Sequence, residues 1–395
     1  MDKKKILLVA LGHLSCDVNG GALPAVLPFV RAAYGLNYQA TAGLMFAYSC
    51  LSSLIQPLFG LLSDRFSRPW FIPLGVLLAG CGLAAVGWMS GYWSIFAAIV
   101  ASGVGSALFH PEGARLANRV SGEHKAVGMS IFSIGGNCGF VLGPLLATAA
   151  LGALGLAGTT VFAVLACTTA GGLLWHVARM QACAAGARAV AAVHDDGEDV
   201  PANDWGQFAR LTVVIVARAI AFVGCNTFIP LYWVSAFGQT KATAALALTF
   251  FCVCGVISNV FGGMLSDRFG CRTIIRCVFP LIPLAALLFS QCSSLYAAWA
   301  VLPLLGFSLY APFSAQVVLG QQYLARNIGF ASGVTLGLAT TLGGITAPLL
   351  GWIADTYGMV RTFETLAVIA AAGAVFAQTL RPRKLSDQKR SAQNA

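Results

Sequence analysis

The chain has 395 residues, of which 58% are hydrophobic and 10% charged, against about 25% charged in soluble proteins. That balance excludes a water-soluble globular domain and leaves a polytopic membrane protein, in which only helices or a closed barrel satisfy the backbone; apolar runs of about 20 residues, rather than alternating segments of about 10, select helices. The net charge of +10 does not point to nucleic acid, because the 24 Lys and Arg are scattered among polar connections and form no basic domain.

Twelve spans are expected in chain order, at roughly 6–30, 41–62, 70–89, 92–117, 126–150, 157–178, 208–235, 243–265, 273–291, 295–322, 328–354 and 360–380. The first begins after Lys3-Lys4-Lys5 and has Ser15-Cys16 in the manner of a lipoprotein leader. His13 stands three places before that cysteine and apolar sequence continues to Val30, so an uncleaved span is expected. Asp17 falls near its middle, with His13 one turn earlier on the same face and Asn19, Gly20-Gly21, Pro24 and Pro28 beyond. The fourth span carries His110-Pro111-Glu112, with Arg115 one turn past Glu112. Residues 180–206 hold Asp195, Asp196, Glu198, Asp199 and Asp204 and read as a solvated linker between an N-terminal bundle, 1–179, and a C-terminal bundle, 207–395, with a short polar tail. The seventh span carries Arg218 and Asn226, and the tenth Tyr310, Gln316, Gln321 and Gln322. Glycines recur in the third, fifth and eleventh spans, as expected where helix backbones approach closely.

The two halves repeat. Leu62-Ser63-Asp64-Arg65-Phe66 returns as Leu265-Ser266-Asp267-Arg268-Phe269, 203 residues later, with Arg68 and Arg272 following. Leu108-Phe109-His110-Pro111 matches Leu309-Tyr310-Ala311-Pro312, and Gly139 with Pro144-Leu145-Leu146 matches Gly343 with Pro348-Leu349-Leu350. Parallel repeats of this kind build carriers whose halves rock about a central site. Of the 24 cations only Arg31, Lys241 and Arg361 fall in loops on one side and Arg218 lies within a span, so the positive-inside rule places both termini and the linker in the cytoplasm.

Ionisable groups within a bilayer are costly and mark function by default. Where the first half has His110 and Glu112, the second has Ala311 and Phe313, and Asp17 falls near the counterpart of Arg218. The asymmetry assigns proton coupling to Asp17, Glu112 and His110, and substrate contact to His13, Asn19, Arg218, Asn226, Tyr310 and Gln316. Asp64, Arg65, Arg68, Arg115, Asp267, Arg268 and Arg272 are expected to gate. Structural readings stand beside these: an ion pair of Glu112 with Arg115, a local hydrogen bond of His110 within the Pro111 kink, or glutamines that line a wet cavity. The 12 Cys show no metal spacing, and no Ser/His/Asp set, Walker loop or dinucleotide glycine pattern marks an enzyme or a cofactor site.

Gly60-Leu-Leu-Ser-Asp64-Arg65-Phe-Ser-Arg68 and Gly263-Met-Leu-Ser-Asp267-Arg268-Phe-Gly-Cys-Arg272 resemble the two copies of the loop motif of the major facilitator superfamily. Gly139-Phe-Val-Leu-Gly143-Pro144 resembles the antiporter signature of its fifth span, though Ala147-Thr148 stand where two further glycines are usual. Gly105-Ser-Ala-Leu-Phe-His110-Pro111-Glu112-Gly113, Gln321-Gln322-Tyr323-Leu324 and Ala331-Ser332-Gly333 resemble the fosmidomycin-resistance-like branch, where an acid is common at the position of Gln322. The resemblance implies two pseudo-symmetric six-helix bundles and a monomeric, proton-coupled carrier in a bacterial inner membrane. It would export a small organic anion such as a phosphonate, with no cofactor and with substrate, protons and membrane lipid as its partners. Uptake of an anionic metabolite or metal-chelating carboxylate, and a non-transporting membrane sensor, are the alternatives.

Overall fold

The computed structural model describes residues 2–55, 70–122, 124–185 and 202–382. Among them all regular structure is helical. The first half contains α1 (Lys3–Tyr34), α2 (Tyr38–Leu54), α3 (Phe71–Ala85), α4 (Tyr92–Val120), α5 (Lys125–Leu154) and α6 (Thr160–Ala185). After these come α7 (Trp205–Phe237), α8 (Lys241–Phe269), α9 (Cys271–Val278), α10 (Leu281–Ser290), α11 (Leu295–Tyr310), α12 (Pro312–Tyr323), α13 (Ile328–Ser332), a π-helical turn over Gly333–Leu338, α14 (Ala339–Tyr357) and α15 (Met359–Gln378).

Ten of the described stretches are long and apolar enough to cross a membrane. One of them, Val127–His176, is 50 residues long. A straight helix of that length would measure about 75 Å, more than twice the hydrocarbon thickness. The 3₁₀ turn Gly155–Thr159 breaks it, so α5 and α6 cross separately. The expected span at 41–62 begins in α2, and its last residues lie outside those described. The chain is therefore an all-α integral membrane protein.

Local chemistry sets the helix ends. Asp2 caps α1 by accepting from the Lys5 N–H at 3.2 Å, and Gly35 ends it with φ +60°, a left-handed conformation that favours a residue without Cβ. Pro312, at the start of α12, follows a break after Tyr310, whereas the related Pro111 is carried within α4.

Within the first half α1 packs most extensively against α5. A Cβ added at Gly139 would stand 2.7 Å from the Val18 nitrogen, and one at Gly143 2.6 Å from the Ala22 nitrogen, so the backbones touch along this four-residue spacing. Ile6, Val9 and Cys16 of α1 share a buried core with Ile72, Val76, Phe109, Phe132 and Leu173. Trp93, Tyr296, Val368 and Val375 are exposed, as lipid-facing side chains are in a molecule whose solvent at that depth is hydrocarbon.

The described chain groups into two compact units. One gathers the described residues up to 185 with 223–253 and 344–362, so that the second part of α7, the start of α8 and most of α14 pack with the N-terminal helices. The other gathers 202–222, 254–343 and 363–382.

Candidate functional site

In the first unit α1, α4 and α5 bring three titratable side chains together. His13 and Asp17 are one turn apart on α1, which puts them on one face. The Asp17 Oδ2 lies 3.1 Å from the His13 Nε2, and its Oδ1 lies 3.1 Å from the His110 Nε2 of α4. Both His13 and Asp17 are buried, and His110 is partly so. Phe132 of α5 stacks on the His13 ring at 4.0 Å between centroids. Gly136 leaves room for the cluster: a Cβ there would stand 2.6 Å from the His13 Cε1 and 2.7 Å from the Asp17 Oδ2.

The far side of each ring fixes its protons. The His13 Nδ1 is 2.8 Å from the Phe132 carbonyl oxygen, and the His110 Nδ1 is 2.7 Å from that of Ser106. A carbonyl oxygen only accepts, so each Nδ1 carries hydrogen and donates it. A neutral ring then has a lone pair at Nε2, and a lone pair cannot bond an ionised carboxylate. Each ring–carboxylate contact therefore needs a bridging hydrogen. Asp17 can supply one at most, so at least one ring is doubly protonated whenever both contacts are made. The closed cluster carries two bridging hydrogens and a net charge of +1, and removing one proton opens one contact. The three ligand-type atoms lie within 4.8 Å of one another, and the two 3.1 Å separations fall within the range of N–H···O hydrogen bonds.

In the second unit Arg218 of α7 is 7% exposed. Its Nε donates to the Gln316 Oε1 at 2.8 Å and its Nη1 to the Leu309 carbonyl at 3.3 Å, and the guanidinium carbon lies 4.9 Å over the Phe313 ring. Among the described residues no carboxylate pairs with it. Accepting from Arg218 orients the Gln316 amide, whose Nε2 is buried without a hydrogen-bond partner among the described residues. A buried donor left bare costs about 1–3 kcal/mol. This corner therefore offers a cation and an unused amide N–H to an acceptor. Tyr310 packs edge-on against Phe222 at 5.2 Å, over a space that Gly255 keeps open.

The sequence profile of the Major Facilitator Superfamily matches residues 9–348 and, in a second match, 211–394. The chain belongs to the major facilitator superfamily. It is 27% identical over 380 residues to the uncharacterized MFS-type transporter YfnC of Bacillus subtilis (strain 168), covering 93% of this chain and 90% of the relative. It is also 27% identical over 376 residues to the fosmidomycin resistance protein of Escherichia coli (strain K12), covering 92% and 90%. Among solved structures, a bacterial homolog to the human lysosomal transporter Spinster, in an inward-facing and occupied conformation, aligns with a TM-score of 0.77 at 15% identity, over 95% of this chain and 96% of that one. The superfamily confirms the expected fold class and makes the chain an integral membrane carrier of small molecules rather than an enzyme.

The remaining sites expected of such a carrier are dispersed. Glu112 is buried, with its Oε1 3.9 Å from the Arg115 Nη1, and stands about 200° round α4 from His110. Asn19 turns its amide back on α1, donating to the Ser15 and Cys16 carbonyls. The Asn226 Oδ1 lies 3.9 Å from the Cys252 Sγ. Asp267 and Arg268 are exposed in the last turn of α8, with Arg268 over the neighbouring Phe269 ring. Arg272 starts α9. Asp64, Arg65 and Arg68 lie outside the described residues.

Sequence reasoning missed Asp355. Its Oδ1 and Oδ2 accept from the Tyr38 and Gln39 backbone N–H groups, each at 2.8 Å, while the Asn37 side chain accepts from Ala40 and the Asn37 carbonyl from Thr41. Three open donors of the α2 N-terminus, those of Tyr38, Gln39 and Ala40, are thereby satisfied, two of them by α14. A Cβ at Gly351 would stand 2.6 Å from the Tyr38 carbonyl, so the same two helices meet there backbone to backbone. The nearest sequence signal was a lone acid among few charges at the end of a span. Asp355→Ala is expected to speed hydrogen exchange at Tyr38–Ala40 by roughly fivefold, the factor for a lost cap. Unchanged exchange there would show that the contact stabilises nothing.

Proposed function

We propose that this chain is a proton-coupled transporter that exports a small organic anion from a bacterial cell across the inner membrane by alternating access. In this reading 1–179 and 207–395 are the two moving bundles, 180–206 connects them in the cytoplasm, and the carrier works as a monomer. The observation that carries it is the His13–Asp17–His110 cluster, whose closed form needs two bridging hydrogens and so ties geometry to proton number. Arg218 with the unused Gln316 amide supports an anionic substrate. Export is supported by the relative named for fosmidomycin resistance. Glu112, paired with Arg115, is the second candidate proton site, and the Asp267-Arg268 turn is a candidate gate. A state-dependent contact can shift a two-state equilibrium only by the difference in its free energy between the states. Making or opening a ring–carboxylate bridge supplies such a difference.

The test is transport by the purified protein in vesicles with an imposed pH gradient, using fosmidomycin as the probe and citrate in parallel for the uptake reading. Gradient-driven movement of fosmidomycin counter to protons supports export. Movement of citrate with protons, and none of fosmidomycin, would replace it with uptake of a chelating carboxylate.

A further inference from the structure

A second basic site lies in the same unit as Arg218, at the ends of α7, α9 and α15. Arg210, Arg272, Arg276 and Arg381 line a cavity of about 530 Å³ together with Phe376, Gln378, Thr379 and Leu380. Arg272 and Arg276 are one turn apart on α9 and so share a face. Among the described residues none of the four arginines has an ion-pair partner. What they hold instead is neutral. The Arg210 Nη1 donates to the Thr379 carbonyl at 3.4 Å, and the Arg276 Nε donates to the Gln378 Oε1 at 3.3 Å. Four like charges around one cavity repel, and two neutral acceptors leave most of their N–H groups unused.

Hydrogen bonds from two buried side chains hold the rim. The buried Tyr323 donates its hydroxyl to the Arg381 carbonyl at 2.6 Å, and the Arg381 N–H donates to the buried Gln207 Oε1 at 2.9 Å. The Gln378 amide donates back to the Arg276 carbonyl at 2.8 Å, which ties the end of α15 to α9. The cavity also opens beside lipid-facing surface. Phe376 in its lining is 41% exposed, and Val375 and Val368 of the same helix are exposed at 66% and 70%. Trp205, 53% exposed, begins α7 five residues before Arg210, and tryptophan at a span end marks the headgroup level. A soluble anion needs the cations but gains nothing from the apolar flank; a lipid uses both.

We infer that this cavity binds an anionic phospholipid, with Arg210, Arg272, Arg276 and Arg381 around the phosphodiester headgroup and the acyl chains along the exposed face of α15. The site is distinct from the Arg218 corner and does not depend on the direction of transport. Basic pockets between spans at headgroup depth take such lipids, with each cation near the surface adding affinity.

Native mass spectrometry of the detergent-purified full chain tests it, with dioleoylphosphatidylglycerol, dioleoylphosphatidylethanolamine and inorganic phosphate as separate probes. Retention of phosphatidylglycerol over phosphatidylethanolamine is expected. The Arg272→Gln/Arg276→Gln double variant should bind phosphatidylglycerol roughly 25-fold more weakly, about fivefold for each charge removed. Arg381→Gln, at an exposed position, gives a single-charge loss of about fivefold should the double variant fail to fold. Equal retention of the two lipids by the wild type, unchanged phosphatidylglycerol binding in the variants, or thermal stabilisation by inorganic phosphate matching that by the lipid would each overturn the assignment.

Discussion

Asp17→Asn is expected to abolish pH-gradient-driven transport of the probe while the protein remains folded and still exchanges the probe across a membrane without a gradient. The reason is proton arithmetic. Both rings are committed to donate from Nδ1 to backbone carbonyls, so everything that varies in the cluster resides on two Nε2 atoms and one carboxyl group. Asparagine keeps the shape but cannot itself gain or lose a proton: its amide hydrogen bonds one neutral ring, its oxygen can meet only a doubly protonated one, and the carboxylate charge that held two ring protons is gone. Driven transport should fall to the level of empty vesicles. Exchange without a gradient should stay within about threefold of wild type, a difference of under roughly 0.7 kcal/mol. Removing a ring is a different experiment. His13→Ala leaves the carboxylate with one partner in a buried site, and breaking a buried pair costs about 3–5 kcal/mol. That variant should lose thermal stability as well as coupling. Full gradient-driven transport by Asp17→Asn would show that the cluster does not carry the coupling, whatever its role in packing α1 against α4.

Arg218→Ala is expected to lose at least roughly 150-fold in affinity for the probe, since hydrogen bonds to charged groups contribute about 1.5–3 kcal/mol each and an anion would take two from the guanidinium. Thermal shift or calorimetry with fosmidomycin measures it. Arg218→Lys keeps the charge but not the planar fork, so it should recover no more than about tenfold of that loss. Gln316→Leu should lower affinity by about tenfold, because its Oε1 no longer holds the Arg218 Nε and its unused N–H is gone. Binding that is unaffected by Arg218→Ala, while Asp17→Asn still uncouples transport, would keep the proton site and remove the anion site. The two claims can therefore fail separately.

What the sequence determined by itself was the class of molecule and where ionisable groups fall within its apolar runs. Composition, run length and the half-chain repeat lead to paired helical bundles because hydrocarbon leaves a backbone few options. Asp17 and Arg218 stand out for the same reason: an ionisable group within an apolar run is too costly to be incidental. His13 could be placed beside Asp17 because the two are one turn apart on one helix.

Tertiary structure alone decided the partners. His110 and Glu112 are two residues apart and look alike as candidates in the sequence, but they point about 200° apart on a helix, so only one can meet α1. The meeting of α1 with α5 at Gly139 and Gly143 is a matter of backbone approach, which sets which faces of the surrounding helices turn inward. Arg218 with Gln316, Asp355 with Tyr38 and Gln39, and the four arginines around one cavity join residues distant in the chain. Periodicity gives the face of a helix and not its neighbour, because side-chain spacing is local whereas the rotation and crossing of helices are set by packing along their whole length.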